Sequence, residues 1–221
     1  LNDGTCNLSN GTITTSAGYT IGNLGTINLN NVHVKYTTQD ETTALMNVGG
    51  TITMVGGSIQ SGGFGVANYS GTVSIRDANI DGGIYDGVFN HTDGNTYLFN
   101  CTMDTVGNNA EVGRGTVFLI NCTVTTGIYT DTPVIKFDSS GGKFDVHAYT
   151  RLGYAKCEFA IWSIQNDQDD IWWYEGTANS VAYSCTGQDL TWHTGYQSGI
   201  LIHVYLKDRS IFYGGLSVDE W

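Results

Sequence analysis

The sequence predicts an all-β protein in which a solenoid of parallel strands precedes a smaller antiparallel unit. Three observations carry this prediction: a composition typical of strands and turns, a ten-residue pattern that recurs six times, and a change of composition after residue 142. Of the 221 residues only 14% are charged, 30 are Gly and one is Pro. Such a chain favours strands and turns over helices, and its 40% hydrophobic residues suffice for a buried core.

The recurring pattern begins with Gly, usually followed by Thr, and continues as alternating apolar and polar positions around a turn residue. Its copies start 21 to 25 residues apart, at 4–13, 25–34, 50–59, 71–80, 94–103 and 115–124. Period-two alternation in short runs indicates strands with one buried face. One strand–bend–strand unit and a variable remainder per copy is the size of one turn, or rung, of a three-strand solenoid. We therefore predict a parallel β-helix of about six rungs.

Three positions of the pattern predict how the rungs stack. The fifth position predicts one inward ladder, made of Leu8, Leu29, Met54, Ile75, Leu98 and Leu119. The tenth predicts a second, made of Ile13, Val34, Ile59, Ile80, Met103 and Val124. The seventh holds residues that tolerate left-handed backbone, which are Asn10, Asn31, Gly56, Asp77, Asn100 and Asn121. A sharp bend is therefore expected at the seventh position of every rung.

With this period and these ladders, the chain resembles the right-handed parallel β-helix superfamily, the fold of pectate lyases, phage tailspikes and many adhesins. The resemblance covers about six rungs. Because it is carried by periodicity and by no catalytic motif, it implies a fold and not an activity.

The composition changes after the solenoid, so the predicted domains are 1–142, the parallel β-helix, and 143–221, an aromatic-rich antiparallel domain. All five Trp fall in the second domain. Its candidate strands are 143–149, 156–164, 171–175, 180–185, 189–193, 199–207 and 210–214. Short strands at this spacing predict a small antiparallel, sandwich-like unit.

The charge balance disfavours two classes of partner. Nine Lys and Arg against twenty-one Asp and Glu give a net charge of −12, which repels nucleic acid and anionic membrane surfaces. No apolar run approaches the ~18 residues that span a bilayer, so membrane insertion is not expected either.

The five cysteines lack the spacing of a zinc site. Cys101 and Cys122 share the eighth position of adjacent rungs, where they form either a disulfide or two buried thiols. Cys157 and Cys185 each alternate with apolar residues, which suggests a second bridge. Cys6, on the first rung, is then left for an intermolecular bond.

Several polar residues invite a binding or modification site. Asn7, Asn68 and Asn90 lie in Asn-x-Ser/Thr sequons and are candidate glycan acceptors. The densest acidic cluster, formed by Asp167, Asp169 and Asp170, is either a weak calcium site or a solvated loop.

No catalytic set is recognised. The carboxylates of the fourth and fifth rungs, Asp77, Asp81, Asp86, Asp93 and Asp104, are scattered and are interpreted as solvated turn residues. The five His share no metal-ligand spacing, and neither a metal nor a cofactor is expected. The Trp172-Trp173-Tyr174 run presents aromatics to both sides of a strand, for sugar stacking, a subunit contact or a core.

The leading hypothesis is a non-enzymatic, extracellular structural or adhesive protein, on a cell or virion surface, that assembles with copies of itself into a filament or a trimeric fibre. Surface glycans are a further candidate partner. The alternative is a solenoid that binds or cleaves polysaccharide, as a lyase or a glycoside hydrolase. A face with clustered carboxylates and exposed aromatics would favour the alternative, and a Thr/Asn surface the scaffold.

Overall fold

The computed structural model describes residues 1–38, 42–110, 115–130, 132–151, 153–165, 167–193, 200–207 and 211–217. The chain divides into two compact units, Leu1–Val134 and Ile135–Trp221. The sequence-based boundary at 142 therefore lies inside the second unit. Among the described residues, no helix combines the length and the hydropathy needed to cross a bilayer.

The first unit is a solenoid of about six turns whose strands pair in parallel. Its strands are β1 (Thr5–Thr15), β2 (Ile21–Asn23), β3 (Thr26–Tyr36), β4 (Thr43–Gln60), β5 (Phe64–Arg76), β6 (Asn79–Asp81), β7 (Val88–Thr92), β8 (Asn95–Phe99), β9 (Thr102–Ala110), β10 (Thr116–Ile120) and β11 (Thr123–Thr130). β4 is long because it runs through two corners without a break.

Three stacks of strands form the three faces of the solenoid. Face one joins β1, β3, β4, β5, β8 and β10, and face two joins β1, β3, β4, β6, β9 and β11. Face three joins β2, β4, β5, β7, β9 and β11. Each strand is hydrogen-bonded to the rung below and above it, so side chains at equivalent positions stack along the axis.

Both predicted apolar ladders are confirmed by the register. On face one Leu29 pairs with Leu8 and with Met54, and the ladder continues through Ile75 to Leu98 and Leu119. On face two the rungs pair Ile13, Val34, Ile59, Ile80, Met103 and Val124 in order. The inner members are buried, and Leu8 and Ile13 on the first rung are half-buried.

The predicted bend between faces one and two is also confirmed. All six residues at the seventh position have positive φ, from 50° at Asn31 to 68° at Gly56. Asn31 donates its side-chain amide to Asn10, and Asn100 donates to Asp77. Asn, Asp and Gly occur here because they adopt left-handed backbone at low cost.

A second, buried asparagine ladder closes the corner between face three and the next rung. Its central members, Asn23, Asn47, Asn68, Asn90 and Asn108, have no exposed surface. Asn23 Nδ2 donates to Asn47 Oδ1 at 2.9 Å, and Asn47 Nδ2 donates to Asn68 Oδ1 at 3.0 Å. The same amides donate to backbone carbonyls of the corner, such as those of Gly25 and Gly50. The ladder thus satisfies backbone groups that the turn would otherwise leave buried and unpaired.

The second unit contains antiparallel strands and a separate four-stranded antiparallel sheet. Its strands are β12 (Val134–Ser140), β13 (Lys143–Tyr149), β14 (Lys156–Ser163), β15 (Trp172–Glu175), β16 (Thr177–Ala178), β17 (Ala182–Asp189), β18 (Ile200–Lys207) and β19 (Ile211–Ser217), with the separate sheet ordered β15-β14-β18-β19. In β18 the inward residues Ile200, Ile202, Val204 and Leu206 are buried. These strands match the predicted all-β second part, with one exception.

The exception is the predicted strand 189–193, which is wrong. Leu190–Trp192 is a short 3-10 helix. Asp189 caps it by accepting the Thr191 N–H at 2.9 Å, and this local hydrogen bond competes with strand pairing.

Candidate functional site

Five aromatic rings form a continuous surface on face three of the solenoid, in the order Tyr85, Phe64, Phe89, His91 and Tyr69. Neighbouring ring centroids are 4.8, 5.1, 5.8 and 5.4 Å apart. Tyr69 and Tyr85, at the two ends, are each 38% exposed, and the three rings between them are half-buried. We call this surface the aromatic face.

The alternation of β7 explains why these rings point outward. Val88 and Asn90 are buried in the solenoid, so Phe89 and His91 emerge on the opposite side of the strand. Phe89 pairs with Ala67 on β5 and with Gly107 on β9. Because both neighbours are small, the Phe89 ring has room to lie against the sheet.

Gly107 is buried beside the aromatic face, beneath the side chains of Phe89 and Asp86. A Cβ atom at this position would lie 3.1 Å from Phe89 Cδ2 and 2.5 Å from Asp86 Oδ2. Tyr129 of β11 pairs with Gly107 and is 52% exposed. The missing side chain at Gly107 therefore lets Phe89 and Asp86 pack closely over the backbone.

The segment Asp81–Gly87 carries Tyr85 and Asp86 and is called the corner loop. Backbone hydrogen bonds attach it to the rung below: Ile84 N–H donates to Gly62 O, Gly65 N–H to Asp86 O and Val66 N–H to Gly87 O. The stacking of Tyr85 on Phe64 adds a side-chain contact to the same rung. The corner loop is thus part of the aromatic face and not a free excursion.

Two carboxylates meet at the corner loop. Asp104 of β9 reaches the loop, where its Oδ2 accepts the Gly82 N–H at 3.4 Å. Its Oδ1 is buried without a hydrogen-bond partner, and a Cβ on Gly87 would lie 2.1 Å from it. Burial and the nearby negative charge of Asp104 together raise the pKa of Asp86 from 3.8 to about 6.

This pair corrects the interpretation of the rung carboxylates as solvated turn residues. Asp77, Asp81 and Asp93 are exposed, in agreement with that interpretation. Asp86 and Asp104 are half-buried and interact, because the corner loop of one rung folds onto a strand of the next.

A groove of about 470 Å³ is lined in part by the corner loop. Ile84, 58% exposed, forms part of its wall together with Lys35, Gln60 and Asp81. The corner loop therefore contributes residues to this groove as well as to the aromatic face.

The predicted disulfides are not formed, and all five cysteines are free thiols. Cys101 and Cys122 do stack in adjacent rungs, and the Cys101 N–H contacts Cys122 Sγ at 3.4 Å. In a parallel stack the two side chains point the same way, so their Cβ atoms stay a rung apart instead of converging as a disulfide requires. Each thiol instead contacts backbone carbonyls, as Cys122 does at Leu98 and Ile120.

The proposed Cys157–Cys185 bridge is also absent. Cys157 lies on β14 of the four-stranded sheet, whereas Cys185 lies on β17, outside that sheet. Cys6 is half-buried on β1, and its intermolecular bond stays a prediction.

Two of the three predicted glycan acceptors are wrong. Asn68 and Asn90 belong to the buried asparagine ladder, where Asn68 Nδ2 donates to Thr96 Oγ1 and Asn90 Nδ2 donates to Asn108 Oδ1. The folded rung has no room for a glycan on either amide. Asn7 is exposed and accepts the amide of Asn28 at 2.7 Å, so its modification stays a prediction.

The calcium prediction gains no support from the described residues. They contain no group of three His, Cys, Asp or Glu that could hold a metal ion, although the side chain of Asp167 lies outside them. Asp169 is exposed, and Asp170 Oδ1 accepts the Ser163 N–H at 2.9 Å. Asp170 also accepts His193 Nδ1 through its backbone carbonyl at 3.1 Å.

The Trp run of the second unit is exposed on both sides of its strand. Trp172 is 44% exposed and packs edge-on against Trp192, and Trp173 is 53% exposed and lies against Tyr205. Tyr174 turns inward, where it packs edge-on against Phe144 and its hydroxyl contacts His193 Nε2. Burial raises the pKa of Tyr174 to about 12 and lowers that of His193.

Comparisons of the chain with protein families, with curated proteins and with solved structures gave no match. The candidate site is therefore identified from its geometry alone.

Proposed function

We propose that this protein is an adhesive protein of a cell or virion surface that binds a neutral glycan across its aromatic face. The observation that carries the proposal is the unbroken row of five rings with both ends exposed. Flat sugar rings stack on aromatic side chains, and a contiguous exposed aromatic patch indicates a ligand surface.

The arrangement of the site supports a chain-like ligand. Four of the rings lie on β5 and β7, and Tyr129 of β11 adds an exposed ring beside Gly107, the residue that pairs with Phe89. Such an elongated surface suits several consecutive sugar units better than a single small molecule. The half-buried Asp86 carboxyl over Gly107 can accept hydrogen bonds from sugar hydroxyls.

Charge supports a neutral sugar. The chain carries a net charge of −12, and two carboxylates lie beside the aromatic face. A uronate or sulfated glycan would be repelled by this field. We also propose a superfamily relationship to the right-handed β-helices of tailspikes and adhesins, which would fit a glycan-binding role.

Assembly with copies of itself is part of the same proposal. β1 is the first strand of its sheet and pairs with β3 on one side. Among the described residues no strand pairs with its other side, so the eleven residues of β1 present an open edge. Open strand edges recruit a further strand. A head-to-tail partner covering β1 would extend the solenoid, and a trimer is the alternative arrangement.

Cleavage of the glycan is the alternative activity, favoured by the raised pKa of Asp86 next to Asp104, a pattern that paired acid and base residues share. Against it, Asp104 Oδ1 is buried against the corner loop, where a glycan on the surface cannot reach it. The test is incubation with neutral polysaccharides and measurement of reducing ends. Sustained release of reducing ends by the wild type that is lost in Asp104→Asn would contradict the non-enzymatic proposal and support cleavage.

Binding itself is tested by affinity electrophoresis in gels containing neutral polysaccharides, with an acidic polygalacturonate gel as comparison. Retardation by a neutral polymer, lost in Phe89→Ala, is the expected result. Unretarded migration in every gel would contradict the proposal.

A further inference from the structure

Backbone hydrogen bonds hold the corner loop at both ends. Two carboxylates, Asp86 in the loop and Asp104 on β9, determine the environment of Tyr85. Asp104 enters the loop, with its carboxylate against Gly82 and Gly87. Asp86 follows Tyr85 directly and packs its carboxylate over Gly107. Thr105 also donates its hydroxyl to the Tyr85 carbonyl at 3.4 Å. The position of the Tyr85 ring is thus coupled to how these two carboxylates are accommodated.

We propose that Asp86 and Asp104 form an acid-closed latch, in which protonation of Asp86 keeps the corner loop seated and Tyr85 stacked on Phe64. When Asp86 is ionised, the burial of its charge and the repulsion from Asp104 both disfavour the seated position, so the loop loosens and one end of the aromatic face is lost. Asp86 and Asp104 are therefore positioning residues, and the role of the latch in ligand binding rests on the proposed function.

The charged and titratable groups around the latch are acidic or aromatic, apart from His91 and from Lys35 of β3, which lines a groove together with Asp81 and Ile84 of the loop. The loop itself contributes Asp81, whose Oδ1 accepts the Gly83 N–H at 3.1 Å, and Tyr85. β9 contributes Asp104, β7 contributes His91 in the aromatic row, and β11 contributes Tyr129 next to Gly107. Burial and Asp104 raise the pKa of Asp86 to about 6, so the latch changes state in mildly acidic solution.

Hydrogen exchange of the full chain, read by mass spectrometry over the corner loop, tests the latch without any glycan. After correction for the intrinsic pH dependence of exchange, we expect loop amides to exchange about tenfold faster at about pH 8 than at about pH 5. In Asp86→Asn the difference should disappear, because the titrating carboxyl is gone. In Asp104→Asn it should become smaller, because the repulsion is lost while burial still disfavours the ionised Asp86. Asp93→Asn, an exposed aspartate of the following loop, should behave like the wild type.

Equal loop exchange at the two pH values in the wild type would overturn the latch. So would a pH difference that persists unchanged in Asp86→Asn. Because the readout needs no ligand, a failure to bind glycans would leave this result standing, and the two proposals fail independently.

Discussion

The Tyr85 ring stacks on the Phe64 ring, with centroids 4.8 Å apart and planes inclined by 18°. The two residues are 21 positions apart in sequence, the spacing of one rung. The corner loop lies in the part of the rung that varies in length and composition between copies, and this stacking fixes it against the strand below. This contact connects the regular part of the solenoid to the surface that we assign to ligand binding.

Gly107 should be needed for the close packing of Phe89 and Asp86 over its backbone. In Gly107→Ala, the added Cβ would lie 2.5 Å from Asp86 Oδ2 and 3.1 Å from Phe89 Cδ2, so both groups must move. We expect a loss of thermal stability equivalent to about 1–2 kcal/mol and weaker glycan retardation. Gly11→Ala is the matched control, since a Cβ there meets no atom within 4 Å. Equal effects of the two substitutions would argue against the packing described here.

The buried asparagine ladder should contribute strongly to stability. Asn47→Ala removes the donor to Asn68 Oδ1 and to Gly50 O, and the acceptor of Asn23 Nδ2. We expect a loss of about 3 kcal/mol in the free energy of unfolding, measured by urea denaturation. Asn28→Ala, which removes an exposed amide bonded to Asn7, should cost less than about 0.5 kcal/mol. Similar losses of unfolding free energy in the two variants would show that burial does not determine how much an asparagine of the ladder stabilises the protein.

The repeat could be predicted because period-two alternation and bend residues recur at fixed offsets, as Leu98 and Asn100 do in their rung. Four of the five central ladder members also share a sequence signal that the ten-residue alignment missed: an Asn two to four residues before the repeat Gly, as in Asn23-Leu24-Gly25 and Asn68-Tyr69-Ser70-Gly71. Recognition of that signal would have removed Asn68 and Asn90 from the glycan acceptors.

The aromatic face could not be predicted in the same way. Its residues lie in the variable part of the rung, where copy lengths of 21 to 25 residues obscure the register. The outward direction of Phe89 follows only when Val88 and Asn90 are known to be buried. The Asp86–Asp104 pair was also hidden, because it joins a corner loop to a strand of the next rung.

The stability of the protein should carry a signature of Asp86 in its pH dependence. Its pKa is about 6 in the folded protein against 3.8 as the ordinary value, so between about pH 4 and pH 6 the unfolded chain binds fewer protons than the folded one. The contribution of the protonated Asp86 is therefore fully present below about pH 4 and is lost as the pH rises through 6. The difference in unfolding free energy between wild type and Asp86→Asn, measured across this window, should change accordingly. A constant difference would contradict the raised pKa.

The open edge of β1 should mediate self-association. Sedimentation velocity at increasing protein concentration is expected to show oligomers, with protection of residues 1–20 against hydrogen exchange in the assembled form. Substituting Thr12 by Pro, which removes an edge hydrogen-bond donor, should reduce association. A protein that stays monomeric at high concentration, with freely exchanging amides over residues 1–20, would rule out assembly through this edge.

Glycan affinity of the aromatic face is the most direct test of the account. Biolayer interferometry on an immobilised neutral polysaccharide should give at least about tenfold weaker binding for Phe89→Ala than for wild type, corresponding to about 1.4 kcal/mol. Trp173→Ala removes an aromatic of the second unit that is more exposed than Phe89, and this variant should bind like the wild type. Unchanged binding in Phe89→Ala together with a loss in Trp173→Ala would contradict the assignment of the site to face three of the solenoid.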